Sequence, residues 1–194
     1  MIENKDGQPP GLPQYELMRD PLAELLADAG SYAAAQFTAH GGTLSEALPL
    51  FGYGLLQARA RANPAHYLRE EMPVIEEEDL EDLKVALAGQ NLADVCDVCT
   101  IQPWGIIPTQ RQIYVDKSID GTARAGVEAT TKFLLSNHVV ISQDSRLIDG
   151  HHRWLTAFMI NPSISLPAFR VRAPLDALLG VMLQFSDARH KRNG

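Results

Sequence analysis

The stretch from Val139 to Pro162 constrains the fold most tightly, because its periodicity changes twice in one short run. Val139-Val140-Ile141 is β-branched and predicts a strand. Gln143-Asp144-Ser145 predicts a turn, and Arg146-Leu147-Ile148 the strand returning. Gly150 breaks that strand. His152 to Ile160 carries Leu155, Phe158 and Met159 with Trp154 alongside, which suits a buried helix, and Asn161-Pro162 ends it. A hairpin that feeds straight into a helix makes both element types share a core, so the expected class is α+β.

The rest of the chain fits that class. Leu22, Leu25, Leu26, Ala29, Ala33 and Phe37 fall at helical spacing after Asp20, a candidate N-cap, and Pro21 at the first helical position. His40-Gly41-Gly42 breaks the chain, and Thr43-Leu44-Ser45-Glu46 fits a capping box. Pro49, Gly52 and Gly54 make the next helix irregular. Glu76–Leu92 predicts another helix, with Glu76, Glu77, Glu78 and Asp79 in its first turn. There the helix dipole favours acids, so a solvated face accounts for the run. Further on, Gln112-Ile113-Tyr114-Val115 alternates like a strand. Thr122 to Ser136 predicts a helix with Val127, Thr131, Phe133, Leu134 and Leu135 available to pack. Leu166 to Val171 predicts a last strand, Pro174 to Phe185 a last helix, and Ser186 to Gly194 a polar, basic tail. The expected organisation is a helical region over residues 1–95 and a small mixed sheet with helices over residues 96–194.

Composition narrows the function classes. At 194 residues and 45% apolar content the chain can bury a sizeable core, which excludes a disordered, collagen-like or disulfide-stapled protein. Its purely apolar stretches are too short to span a membrane. The polar MIENKDGQPPG start does not read as a leader, and two nearby cysteines then suggest a reducing cytoplasm. The net charge of −7 is uneven. Residues 1–95 hold 6 basic and 16 acidic residues (6 − 16 = −10), and residues 96–194 hold 11 and 8 (11 − 8 = +3). The acidic half is a poor nucleic-acid surface, whereas the basic half can meet an anion such as a nucleotide. Cys96-Asp97-Val98-Cys99 stands alone; zinc needs four ligands and a redox dithiol wants the opening of a helix, so these read as structural thiols. His138 reads as an edge histidine, and Trp104 as an anchor between the two halves.

The chemistry concentrates in Asp149-Gly150-His151-His152-Arg153, where the hairpin enters the helix. The first free N–H groups of a helix point outward and carry about half a positive charge. Gly150 lets a ligand approach the backbone, and phosphate is the usual occupant of such a site. Arg153 can add a bidentate fork. His151 and His152 can donate hydrogen bonds or move protons near neutral pH. Asp149 can cap the helix, hold a histidine or help with Mg²⁺.

Leu147-Ile148-Asp149-Gly150-His151-His152-Arg153, with a helix behind it, resembles the ParB/sulfiredoxin-like superfamily. Ile106-Ile107-Pro108-Thr109-Gln110-Arg111 resembles that family's first conserved box. The stretch from Ile107 to about Phe185 looks like the ParB-like domain proteins carried by many bacteriophages, so the cytoplasm in question would be the host's. The resemblance implies a nucleotide-binding fold that takes the phosphates of ATP, ADP or CTP at Gly150–Arg153. Gln110, Arg111 and Lys117 would line the same site from the first box. Family activities diverge, from a CTP-driven DNA clamp to sulfinic acid reduction, a free-serine kinase and reported nuclease activity. Sulfiredoxins place a nucleophilic Cys where this chain has His151. ParB partition proteins carry a Glu-Arg-Arg type box and a long DNA-binding region, but here only about 40 residues follow Arg153. The serine-kinase branch shares Asp-Gly-His-His-Arg, yet has a catalytic Glu where this chain has Gln110. An amide cannot take a proton as a carboxylate can, so Asp116 or Asp149 would have to supply one.

The expected function is therefore binding of ATP or a related NTP with Mg²⁺-dependent phosphoryl transfer or hydrolysis, to a small-molecule or protein acceptor. Backbone N–H groups would cradle the phosphates, Arg153 would neutralise developing charge, His151 or His152 would carry a proton or phosphoryl group, and Asp149 would orient them or hold the metal. The alternatives are a ParB-like DNA-binding protein or nuclease, and a phage structural or accessory protein that keeps the fold without catalysis.

Overall fold

A computed structural model describes residues 22–47, 58, 67–92, 96–110 and 113–193. Asp20, Pro21, Pro49, Gly52, Gly54, Arg111 and Gln112 lie outside them. Among the described residues the chain forms seven α-helices and four strands: α1 (Leu22–Ala39), α2 (Leu44–Ala47), α3 (Leu80–Ala88), β1 (Cys96–Ile101), α4 (Val115–Ala125), α5 (Val127–Ser136), β2 (Val139–Ile141), β3 (Leu147–Asp149), α6 (His151–Ile160), β4 (Leu166–Val171) and α7 (Leu175–Asn193). The class is α+β. The mixed sheet has the order β1-β4-β2-β3, with β4 and β2 parallel and the outer pairs antiparallel.

Strand alternation splits the interior into two cores, one on each face of the sheet. Val139, Ile141, Leu147, Leu166 and Ala168 pack with α1 (Ala29, Ala33, Phe37), α4 and α6. Val140, Ile148, Phe169 and Val171 pack with Met72, Ile75, α3 and α7. Burial on both faces explains why these strands read as unbroken apolar runs. Both cores draw on residues before and after position 96.

The first box joins the sheet through Ile107. Its N–H donates to Ser145 O (2.9 Å) and its carbonyl accepts from Leu147 N–H (2.8 Å). Two residues on, Thr109 O accepts from Tyr67 N–H (3.0 Å) in a bridge between Tyr67 and Gln110. The capping box at Thr43 forms as expected: Thr43 N–H donates to Glu46 Oε2 (2.7 Å), and Glu46 N–H approaches Thr43 Oγ1 (3.4 Å).

Several expectations need correction. Val115 opens a helix rather than closing a strand, because Val115, Ile119, Thr122 and Ala123 bury one face of α4. The helix expected over Thr122–Ser136 is two helices, broken at Gly126 with φ +82°. On α5, Leu134 is buried while Phe133 and Leu135 are exposed. Glu76–Leu92 is a short 3₁₀ turn (Glu77–Asp79) followed by α3, which ends at Ala88. Glu77 is not simply solvated: its carboxylate accepts from His138 N–H (2.8 Å) and pairs with His138 Nδ1 (2.6 Å). Cys96–Ile101 is a strand that the sequence reading missed, and Cys99 is a free, half-buried thiol. Trp104 packs edge-on against Phe158 of α6, with ring centroids 5.4 Å apart. α7 continues as helix to Asn193. No described helix is long and apolar enough to cross a membrane.

Candidate functional site

Gly150 stands between β3 and α6 in the left-handed region, with φ +98° and ψ 23°. A Cβ there would lie 2.9 Å from Val139 Cγ1 and 3.1 Å from Arg153 Nε, so the position needs glycine for conformation and for space. Trp154 N–H donates to Gly150 O (2.9 Å), the first bond of the helical ladder. The N–H groups of His151, His152 and Arg153 precede it and are the free positive end of α6.

Arg153 folds back over that end. Its Nη2 donates to Asp149 Oδ2 at 2.7 Å, with both side chains less than one-fifth exposed. Burial pushes the Asp149 carboxyl up to about 6, against the pull of the Arg153 guanidinium and the Gly150 N–H. Glu76 adds to the rise and Arg69 opposes it.

His151 is 2% exposed. Its Nε2 accepts from Thr109 N–H and Gln110 N–H, each at 3.2 Å, with Thr109 Oγ1 at 3.1 Å. Two backbone donors on Nε2 assign the ring proton to Nδ1. That Nδ1 is buried and has no hydrogen-bond partner among the described residues. Burial, with His152 and Arg69 nearby, holds the ring well below its ordinary pKa and therefore neutral. His151 thus ties α6 to the first box and offers one N–H. With Nε2 committed to two backbone donors, it is poorly placed for the proton-carrying role expected of it.

His152 lies nearly parallel to Tyr114, with centroids 6.2 Å apart, and its Nε2 is buried without a partner among the described residues. Burial, then Arg69 and Lys117, push its pKa down to about 4. Lys117 is exposed on α4, with Nζ 4.6 Å from the Tyr114 ring centre. Gln110 is buried, and its Oε1 has no partner among the described residues. Asp116 has its carboxyl raised, chiefly by burial, and Arg111 lies outside the described residues.

Two adjoining cavities meet here. One, of about 310 Å³, is lined by Asp149–Arg153 together with Arg69, Glu76 and Phe133. The other, of about 320 Å³, lies between α4, α5 and α6, with small residues such as Gly121, Ala125 and Ala129 in its walls. Phe133, His152 and Arg153 belong to both. Arg69, Glu76 and Phe133 were not singled out as site residues from the sequence. The only signal was that Phe133 is a large apolar residue off the buried stripe of α5.

Asp149 is committed to Arg153, and no three metal-binding side chains converge among the described residues. No protein-family model, no curated protein and no solved structure matches the chain.

Proposed function

We propose that the chain binds a nucleotide, with its phosphates at the start of α6, and that it carries out phosphoryl transfer or hydrolysis there. The observation that carries this reading is the His151 Nδ1–H. It is buried without a partner among the described residues, and His151 lines a cavity whose other donors are the N–H groups at the start of α6 and the Arg153 guanidinium. A buried donor without an acceptor costs about 1–3 kcal/mol, and a phosphate oxygen removes that cost. The adjoining cavity between α4, α5 and α6 gives room for the rest of a nucleotide.

In this reading phosphate oxygens take the N–H groups of His151, His152 and Arg153, and Arg153 shares its guanidinium between Asp149 and the ligand. His152 is neutral at physiological pH. A bound anion raises its pKa from about 4 towards neutrality, where imidazole accepts a proton from an attacking hydroxyl or water. Gln110 cannot take that part, and Asp149 is the buried carboxylate closest to doing so. Mg²⁺ enters the proposal only as the counter-ion carried by the phosphates.

Thermal-shift titration with ATP, ADP, CTP and GTP, with and without Mg²⁺, tests the proposal. A nucleotide at about 100 times its Kd stabilises the fold by roughly 2.7 kcal/mol. We expect such a shift with at least one nucleotide and its loss in Arg153→Ala. No shift at millimolar concentration of any of the four contradicts the proposal.

A further inference from the structure

Arg69 is the one cation of the cavity with no assigned task. It opens the short 3₁₀ turn Arg69–Glu71 and lies about 80 residues before the glycine turn. Its place is nonetheless fixed by several anchors. Tyr67 N–H donates to Thr109 O, and the Tyr67 hydroxyl donates to Asp176 (3.2 Å). Leu68 N–H donates to Glu71 Oε2 (2.6 Å), and Val74 N–H to Ser186 Oγ (3.1 Å). Met72 and Ile75 are buried in the second core. The same Thr109–Gln110 backbone that receives Tyr67 is held from the other side by His151. The first box therefore sets Arg69 and the α6 start in register with each other.

The charges at this cavity are not balanced alike. Arg153 is neutralised by Asp149 at 2.7 Å. The Arg69 guanidinium makes no hydrogen bond or ion pair among the described residues. Glu76, on the same wall, is exposed to solvent. The donors at the α6 start are already enough for one phosphoryl group: three backbone N–H groups, the His151 Nδ1–H and the Arg153 fork. Arg69 lines the cavity with Val74, Ile75 and Glu76 and adds a second fork that has no ion pair among the described residues.

From this we propose that Arg69 is a specificity-determining residue that binds a second, linked phosphate. The site then takes di- and triphosphates in preference to monophosphates. The inference rests on the reading of the α6 start as the seat of the first phosphate. One guanidinium fork on a phosphate pair supports at least tenfold discrimination.

Calorimetric titration of the full chain with inorganic phosphate, pyrophosphate, AMP and ADP tests it, using wild type, Arg69→Ala, Arg69→Lys and Arg153→Ala. We expect wild type to bind pyrophosphate and ADP at least about tenfold more tightly than phosphate and AMP. In Arg69→Ala the ratio falls to within about threefold, through loss of the diphosphates alone, and Arg69→Lys lies between. Equal weakening of mono- and diphosphates in Arg69→Ala, or no weakening, overturns the role of Arg69. If Arg153→Ala still abolishes binding in that case, the seat at α6 stands without it. Wild-type affinity for none of the four ligands, or full affinity in Arg153→Ala, overturns the seat and the inference together. Circular dichroism confirms folding, and Arg69→Lys decides the matter if Arg69→Ala does not fold.

Discussion

A methyl group at position 150 would meet Val139 Cγ1 at 2.9 Å and the Arg153 guanidinium at 3.1–3.2 Å, on a backbone with φ +98°. We therefore expect Gly150→Ala to destabilise the fold by about 1–3 kcal/mol in urea unfolding and to displace Arg153 from the α6 start. A stability unchanged from wild type would contradict that geometry. The titrating groups beside it act in opposite directions. His152 has its pKa lowered to about 4, so its contribution is full above about 6.5 and is lost as pH falls towards 4; His151 acts in the same sense. Asp149 has its pKa raised to about 6, so its ionisation costs stability above 6, and that cost fades as pH falls towards 3.8. At this site acidification therefore costs stability through His151 and His152 and returns part of it through Asp149. His152→Gln should reduce that loss by roughly 2 kcal/mol between pH 7 and pH 5, and Asp149→Asn should steepen it. Equal pH slopes in wild type and His152→Gln would contradict the buried, neutral imidazole. Asp149 and Arg153 were legible in the sequence because they pair four residues apart, and Gly150 because a strand-to-helix turn favours glycine; the approach of Val139 to Gly150 was not. Arg69 was not, because long-range contacts such as the Tyr67–Gln110 bridge bring it to the glycine turn, and no spacing rule reports them.

Elements with a single strong period were read correctly, and those with mixed signals were not. β4 is β-rich and apolar on both faces, and it spans Leu166–Val171 as expected. β1 carries Cys-Asp-Val-Cys-Thr-Ile at the sheet edge, where exposed Val98 and Thr100 blur the alternation, and its cysteines drew attention to ligand chemistry instead. At the start of α4, the β-branched Ile113 and Val115 imitate a strand. The helical spacing of Val115, Ile119, Thr122 and Ala123 is the stronger period, but it shows only when the window extends past Asp116. Gly126 divides α4 from α5, and the exposed Phe133 of α5 lines both cavities. The Glu77–His138 pair holds the strap of residues 67–79 against the start of β2. Glu77→Ala leaves the half-buried His138 N–H unsatisfied and should cost about 1–3 kcal/mol, read from urea unfolding. Loss of less than about 0.5 kcal/mol would show the pair to be an ordinary surface contact.

Across the whole molecule, the acidic first half is not a separate attachment. α1 contributes to one core and α3 to the other, on opposite faces of the same sheet. The candidate site is composed in the same way, with Arg69 and Glu76 from the −10 half and Asp149–Arg153 from the +3 half. A reading that stops at the second half sees the glycine turn but misses the wall facing it. The central claim is that an anion seats on the first turn of α6, and amide NMR during titration with ADP tests it most directly. We expect the backbone amides of residues 151–153 to shift saturably and more than those of β1 or α3, and to stay still in Arg153→Ala. Unmoved amides at these three positions, while others shift on ADP binding, would contradict it.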